Sequence, residues 1–355
     1  MTAPSSSARL PRVSRRIAWT SALIHGLVHA SVLLLPTVLG DLQRAFRVSL
    51  LDVLGVANIM YLAFGVSAVP AGYLADRLGS RAMLTVAAAG CTVALAMVAL
   101  APVFAGLFAA RLGWRWGFAV AAVMAGACAL LTHTLPPDEP RPAPPLPFRQ
   151  SAVALGRTVA GFWASRPLRW LLLATIAGGF VYRGVLTFLP LHLAGSAGGM
   201  LGGSYVTSLV LLAGIVAQRF GGELADRLPR ERLFLAEMAL SVPVLLLLGL
   251  TSGIGLLALA LTFGFLWYLA QPLASAIAAA HSDVRDHGLF FGVQFAASFG
   301  LGSFATTLGG LVTRGSGGTG PAFVCFGLVA LVPLVAALFL LRSVRSAGAV
   351  APVQI

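Results

Sequence analysis

Apolar residues run along this chain in long unbroken blocks, not in the alternation of a half-buried strand or the narrow stripe of a soluble helix. The blocks cover 18–40, 50–75, 83–110, 115–134, 169–194, 203–222, 232–251, 253–279, 288–312 and 321–342. Each is near or above the ~20 residues that one helical crossing of a bilayer needs. The polar breaks between them are short, with one exception. Residues 135–168 open on Leu-Pro-Pro-Asp-Glu-Pro-Arg-Pro-Ala-Pro-Pro-Leu-Pro, whose prolines predict an extended cytoplasmic linker. The pattern therefore predicts an all-α polytopic membrane protein of about ten transmembrane helices, four before the linker and six after it. Its parts are an N-terminal membrane half (1–134), the linker (135–168) and a C-terminal membrane half (169–355), which ends in a short disordered tail.

Composition narrows the function. Of 355 residues, 58% are apolar and only 10% charged, against roughly 25% charged in soluble domains. That excludes a water-soluble enzyme and a disordered chain alike. The net charge of +13 comes from 24 basic and 11 acidic residues, and every basic one is arginine. Without lysine there is no Schiff-base chemistry and no GxxxxGK[ST] phosphate loop, so this chain does not drive transport with ATP by itself. No nucleophile elbow supports hydrolysis. Cys91, Cys128 and Cys325 stand alone inside apolar blocks, without metal-ligand spacing, and read as packing thiols. Neither a metal nor a cofactor is expected.

Charge placement gives orientation. Arg9, Arg12, Arg15 and Arg16 precede the first block. That block is too long for a signal-peptide core and lacks a cleavage site, so it reads as an uncleaved helix. With the N-terminus inside, only Arg44, Arg47, Arg111, Arg115 and Arg314 fall in outer loops. The bias sets both termini in the cytoplasm of a bacterial inner membrane. The basic surplus then faces anionic lipid headgroups and not nucleic acid.

Gly-Tyr-Leu-Ala-Asp-Arg-Leu at 72–78 returns as Gly-Glu-Leu-Ala-Asp-Arg-Leu at 222–228, each at the cytoplasmic end of the second block of its half. Repeated halves are a usual construction of secondary transporters. In such a turn the glycine permits close helix approach, while the aspartate and arginine reach neighbouring helix ends or lipid. The stretch Gly72 to Arg81 resembles the cytoplasmic loop signature of the major facilitator superfamily, with Ser80 where a second basic residue is common. The second copy keeps Gly222, Leu224, Ala225, Asp226 and Arg227, with Pro229 in place of the later glycine. Gly113-Trp114-Arg115-Trp116-Gly117-Phe118 is similar to the opening of that family's sixth helix. Tyr182-Arg183-Gly184 and Thr187-Phe188-Leu189-Pro190-Leu191 resemble the seventh helix of fosmidomycin-resistance-like and related drug-efflux branches.

The resemblance implies a two-half major-facilitator-like bundle, alternating access, a proton gradient as driving force, and a monomer or homodimer. It also exposes a departure. Family members carry six helices in each half, whereas four blocks precede this linker. The fourth helix and the start of the fifth are absent by this reading, with 83–110 a fusion of third and fifth kinked at Pro102.

A few residues stand out as chemistry. Arg183 lies mid-block, where a basic group costs ~2.5–3.5 kcal/mol on insertion scales and normally faces a bundle interior. Thr175, Gly179 and Thr187 share its helix face. It would bind an anionic group, hold a coupling carboxylate, or serve as a structural partner to Glu237 or to backbone carbonyls. His25 and His29, one turn apart with Ser21, suit proton relay or substrate hydrogen bonds. Phe263, Trp267, Gln271 and Ser275 form a stripe beside Tyr268, as the wall of a cavity for a partly apolar molecule would. Tyr182, Thr187, Gln218 and Gln294 add polar groups within blocks. Glu223 and Glu237 are the coupling candidates; Gly72, Asp76, Arg77, Gly79, Arg81, Gly222, Asp226 and Arg227 are the gating loops. The expected function is secondary active transport of a small organic molecule, as proton-coupled efflux of a drug-like compound or organic anion. The alternatives are an uptake carrier, or a shortened member that binds without transporting.

Overall fold

A computed structural model describes residues 20, 34–36, 38–78, 80–105, 113–132, 134, 148–196, 203–282 and 287–348. Among the described residues every regular element is an α-helix. Contacts group the chain into two compact units, one of 1–35 with 73–145 and one of 36–72 with 146–355.

The first unit holds α3 (Ser80–Ala105) and α4 (Gly113–Thr132), a pair packed side by side. Ala88 on α3 and Ala121, Ala122 and Ala125 on α4 are buried, and small residues of this kind let helix backbones approach in a bilayer. The hydroxyls of Thr85 and Thr132 meet at 2.6 Å and tie the two helices polar group to polar group. Residues 106–112, the outer end of the expected long block, lie outside the described residues, as does most of the first block.

The second unit begins with the short α1 (Leu39–Phe46) and then α2 (Leu50–Leu78), of which residues up to Gly72 belong here. Ser49 starts α2 with a reciprocal cap: its N–H and hydroxyl donate to Asp52 Oδ2 at 2.9 and 2.6 Å, and Asp52 N–H donates back to Ser49 Oγ at 3.3 Å. The unit continues with α5 (Phe148–Ala164), α6 (Arg166–Ser196), α7 (Gly203–Arg227), α8 (Arg230–Leu250), α9 (Gly253–His281), α10 (His287–Gly302), α11 (Phe304–Ser316), α12 (Gly320–Val329) and α13 (Leu331–Gly348).

Six helical stretches among the described residues are long and apolar enough to cross a membrane: Leu50–Ala68, Arg166–Gly195, Arg230–Leu250, Gly253–His281, Phe290–Ser316 and Gly320–Ser346. Two shorter apolar ones, Arg81–Ala94 and Ala119–Thr132, lie in the first unit.

Three local features differ from the sequence pattern. The linker is not extended throughout, since α5 occupies its second half. Its proline-rich run stops at Pro147, and beyond it Leu155, Val159 and Phe162 recur at helical spacing. Phe162 is buried and meets Phe290 edge-on at 5.0 Å. The last two blocks each break into a helix pair. Pro333 accounts for one case: it has no N–H to donate to the carbonyl of Val329, where α12 ends, and it sits in the first turn of α13, which restarts at Leu331. In the other, Ser303 turns its hydroxyl back to Gly300 O at 2.6 Å between α10 and α11.

An apolar cluster of Phe162, Leu171, Phe234, Ile277, Phe290 and Leu340 joins α5, α6, α8, α9, α10 and α13. At the other end of α6, His192 works as a bolt. A carbonyl only accepts, so its Nε2–H donates to Leu248 O at 2.9 Å, and its Nδ1 accepts from the Thr319 hydroxyl at 2.8 Å. Beside it, a Cβ on Gly249 would lie 2.5 Å from Gly320 O, so only glycine lets those chain segments touch.

Candidate functional site

Arg183 is 3% exposed on α6, and its surroundings are aromatic. Its guanidinium carbon stands 4.1 Å from the Tyr61 ring of α2 and 4.2 Å from the Phe299 ring of α10, with Tyr182 at 5.9 Å. Two such contacts at ~0.5–2 kcal/mol each offset much of the ~2.5–3.5 kcal/mol that a mid-membrane arginine costs. No carboxylate lies within ion-pair distance among the described residues, and Nε is buried with no acceptor. Glu237, the structural partner weighed from sequence, does not pair with it. That carboxyl accepts the Ser241 hydroxyl at 2.8 Å, one turn further along α8, and its Oε2 is buried without a partner.

The backbone of α6 makes this burial feasible. A Cβ at Gly179 would come 2.8 Å from the Ser298 Cβ, and one at Gly184 would overlap the Phe326 ring. Glycine at both positions brings α10 and α12 against the arginine's own helix. Thr187 spends its hydroxyl hydrogen on Arg183 O at 2.8 Å, which leaves only acceptor capacity.

One turn of aromatic surface continues from the arginine. Tyr182 stacks on Trp267 at 4.8 Å and 9°, and Trp267 on Phe263 at 6.4 Å and 22°. The Tyr182 and Tyr268 hydroxyls meet at 2.8 Å. Trp267 Nε1 is buried and has no acceptor among the described residues. Gly214 on α7 leaves the space that the Tyr268 ring fills. Gln218 Nε2 donates to Gln271 Oε1 at 3.3 Å, linking α7 to α9 next to this wall. Gln294 is half-buried on α10, one turn before Ser298, and has no hydrogen-bond partner among the described residues. Ser275, the last member of the sequence stripe, is exposed.

The structure thus brings Arg183, Tyr182, Trp267 and Tyr268 into one cluster, with Gln271 one turn along α9 from Trp267, together with Tyr61 and Phe299, which the sequence pattern does not single out. An aromatic residue inside an apolar block carries no mark that separates a cage from a lipid-facing position. His25 and His29 lie outside the described residues.

The loop motifs are placed unevenly. Gly72, Asp76 and Arg77 fall on the last turns of α2, their side chains outside what is described, and Gly79 lies outside the described residues. Arg81 opens α3 with its side chain half-buried. In the second copy, Asp226 and Arg227 are exposed, and Glu223 pairs with Arg219 at 3.1 Å on an exposed face of α7. Close helix approach belongs not to Gly222, beside which a Cβ would meet nothing within 4 Å, but to Gly221. A Cβ there would lie 2.5 Å from Leu269 O. Arg230, which sequence reasoning passed over, donates to Ala225 O at 2.8 Å and Ala276 O at 3.3 Å, and so ties the ends of α7 and α9.

A family model described as Major Facilitator Superfamily matches residues 96–307. No curated protein matches the chain. The fold is similar to a solved structure of the human organic anion transporter MFSD10 (TETRAN), at 18% identity and a TM-score of 0.63, over 92% of this chain and 100% of that one. It is also similar to a bacterial homolog of the human lysosomal transporter Spinster, solved inward-facing and occupied. There the identity is 13% and the TM-score 0.53, over 95% of this chain and 98% of that one.

Proposed function

The chain belongs to the Major Facilitator Superfamily, and from that premise we propose that it is a proton-coupled exporter of small organic molecules, drug-like compounds or organic anions. One observation carries this reading: a buried arginine held between two aromatic rings, with no acid beside it among the described residues. A structural arginine in a membrane is ordinarily paired with a carboxylate or with carbonyls. An unpaired one, next to an aromatic wall and an amide pair, is built to receive a negative group. One of the solved structures with a similar fold is that of a human organic anion transporter, whose cargo agrees in chemistry with that arrangement.

In this reading Arg183 takes the charged end of the substrate, Tyr182 and Trp267 flank its body, and Gln271 with Tyr268 reads its polar edge. Gln294 and Thr187 complete the lining, and His25 and His29 of the first block are further substrate-binding candidates. Glu237 or Glu223 carries the coupling proton. The repeated Asp76–Arg77 and Asp226–Arg227 turns close the cytoplasmic side. The protein sits in a bacterial inner membrane with both termini inside, its arginine-rich loops against anionic headgroups.

The test is export in an efflux-deficient bacterium, with membrane abundance checked by immunoblot, followed by uptake into proteoliposomes under a pH gradient. Arg183→Gln is expected to abolish transport at normal abundance. Full transport by that variant would defeat the assignment of the site.

A second reading has its own observation, the four-block N-terminal half. If the helices missing from that half are needed for alternating access, the chain binds ligand and does not move it. Substrate binding to the purified protein with no counterflow in proteoliposomes would select this second reading.

A further inference from the structure

The Arg183 site constrains its occupant beyond the sign of one charge. Tyr61 at 4.1 Å and Phe299 at 4.2 Å crowd the guanidinium carbon with ring surface, which offers no hydrogen-bond acceptor and leaves its N–H edge for a ligand. That edge is a planar fork of donors, which fits the two oxygens of a carboxylate or similar oxyanion. Nε already lacks an acceptor.

The neighbouring polar groups share this deficit. Trp267 Nε1 is a donor with no acceptor among the described residues. In the Tyr182–Tyr268 pair one hydroxyl donates to the other, which leaves the second hydrogen without an acceptor among the described residues. Three unanswered donors therefore lie around the Tyr182 ring, 5.9 Å from the guanidinium carbon and stacked on Trp267. An occupant that brings acceptors satisfies them. One that brings ammonium or many hydroxyl hydrogens does not.

Charge balance sets the number of negative groups. The cluster holds one cation and, among the described residues, no acid. A second negative charge would sit uncompensated in the membrane interior, which is expensive. The stacked Tyr182, Trp267 and Phe263 rings favour a flat apolar body.

Taking Arg183 as the substrate site, we infer that its occupant is a flat, singly charged aromatic oxyanion of the monocarboxylate kind, its charge on the Arg183 edge and its ring along the Tyr182–Trp267 wall. Tyr61 and Phe299 act through the arginine as positioning residues, holding the fork at a fixed angle.

The experiment uses the full chain in detergent, read by intrinsic tryptophan fluorescence and by thermal midpoint. Four probes are titrated: 1-naphthoate, naphthalene-1,4-dicarboxylate, 1-naphthylmethylammonium and octanoate. 1-Naphthoate is expected to bind about tenfold or more tightly than the other three, the size of one charge-assisted hydrogen bond lost or one charge left over. Arg183→Gln should remove that preference. Trp267→Leu should weaken 1-naphthoate about fivefold while leaving octanoate unchanged. Equal or tighter binding of the ammonium or the dicarboxylate, binding of 1-naphthoate untouched by Arg183→Gln, or binding of none of the probes would overturn the inference.

The wild-type probe series decides even if the arginine variant does not fold. Counterflow in proteoliposomes separates the two claims. Bound but unmoved 1-naphthoate defeats the transport reading and leaves the site standing. Carriage of cations without 1-naphthoate binding defeats the site.

Discussion

A guanidinium sandwiched by rings answers to substitution differently from one in a salt bridge. Its partners supply faces and not hydrogen-bond acceptors, so Tyr61→Phe is expected to keep the thermal midpoint in detergent. Tyr61→Leu and Phe299→Leu should each lower stability by ~0.5–2 kcal/mol. Arg183→Lys removes the planar fork while keeping the charge, and it should lose substrate affinity despite normal abundance. A lysine variant that binds as the wild type does would show that charge alone suffices. Space is equally specific at this scale. The Tyr268 ring lies where a Gly214 side chain would stand, so Gly214→Leu should expel the ring and unfold the α7–α9 contact, read as loss of monodisperse protein.

Legibility was uneven here too. Arg183 is visible in the sequence because a charge inside an apolar block has to be explained by something. Tyr61, Phe299 and His192 are not, because their roles arise from contacts between helices far apart in the chain. The shift of close approach from Gly222 to Gly221 has the same origin. The repeat fixes which residues recur, while helix rotation decides which of two adjacent glycines faces α9.

At the level of the element, hydropathy located most membrane helices because bilayer thickness sets their length. It failed where local chemistry outweighs length. The proline run hides α5, whose amphipathic pattern starts only after Pro147, and Pro333 splits the final block. The helix α5 carries exposed Arg149, Arg157 and Trp163 on one side and buried Phe162 on the other. Phe162→Ala should cost ~3 kcal/mol of docking, since it removes a ring from the contact with Phe290. The measurement is thiol labelling at a cysteine placed at Val159. Labelling is expected to be slow in the parent and fast in the alanine variant; equal rates would show that α5 is held by something else.

At the scale of the whole molecule, the chain has the fold of the Major Facilitator Superfamily. Residues 36–72, from the N-terminal half, share a unit with the C-terminal half. Asn58 Nδ2 donates to Thr307 Oγ1 at 3.0 Å, and a Cβ at Gly65 would lie 2.6 Å from Gly300 N. Alternating access moves helices of one half against the other, so this seam should part during transport. With Cys91, Cys128 and Cys325 replaced, an Asn58→Cys/Thr307→Cys pair is expected to cross-link under oxidation, to stop transport, and to release it on reduction. Transport at full rate with the bond closed would mean that α2 and α11 stay together through the cycle.

The cage around Arg183 also bears on how the chain is made. Helices enter the bilayer in the order of synthesis, so Tyr61 is in place when α6 emerges, whereas Phe299 has yet to be translated. For that interval the arginine has one ring instead of two, and it leans on a helix from the other half. A chain begun at residue 146 would offer it neither at first. Its α6 should therefore integrate less efficiently than in the full protein, by a margin that glycosylation mapping in microsomes can resolve. Co-synthesis of residues 36–72 should restore it. The second helix of the N-terminal half would then serve, before any substrate arrives, as an intramolecular chaperone for the charge of α6.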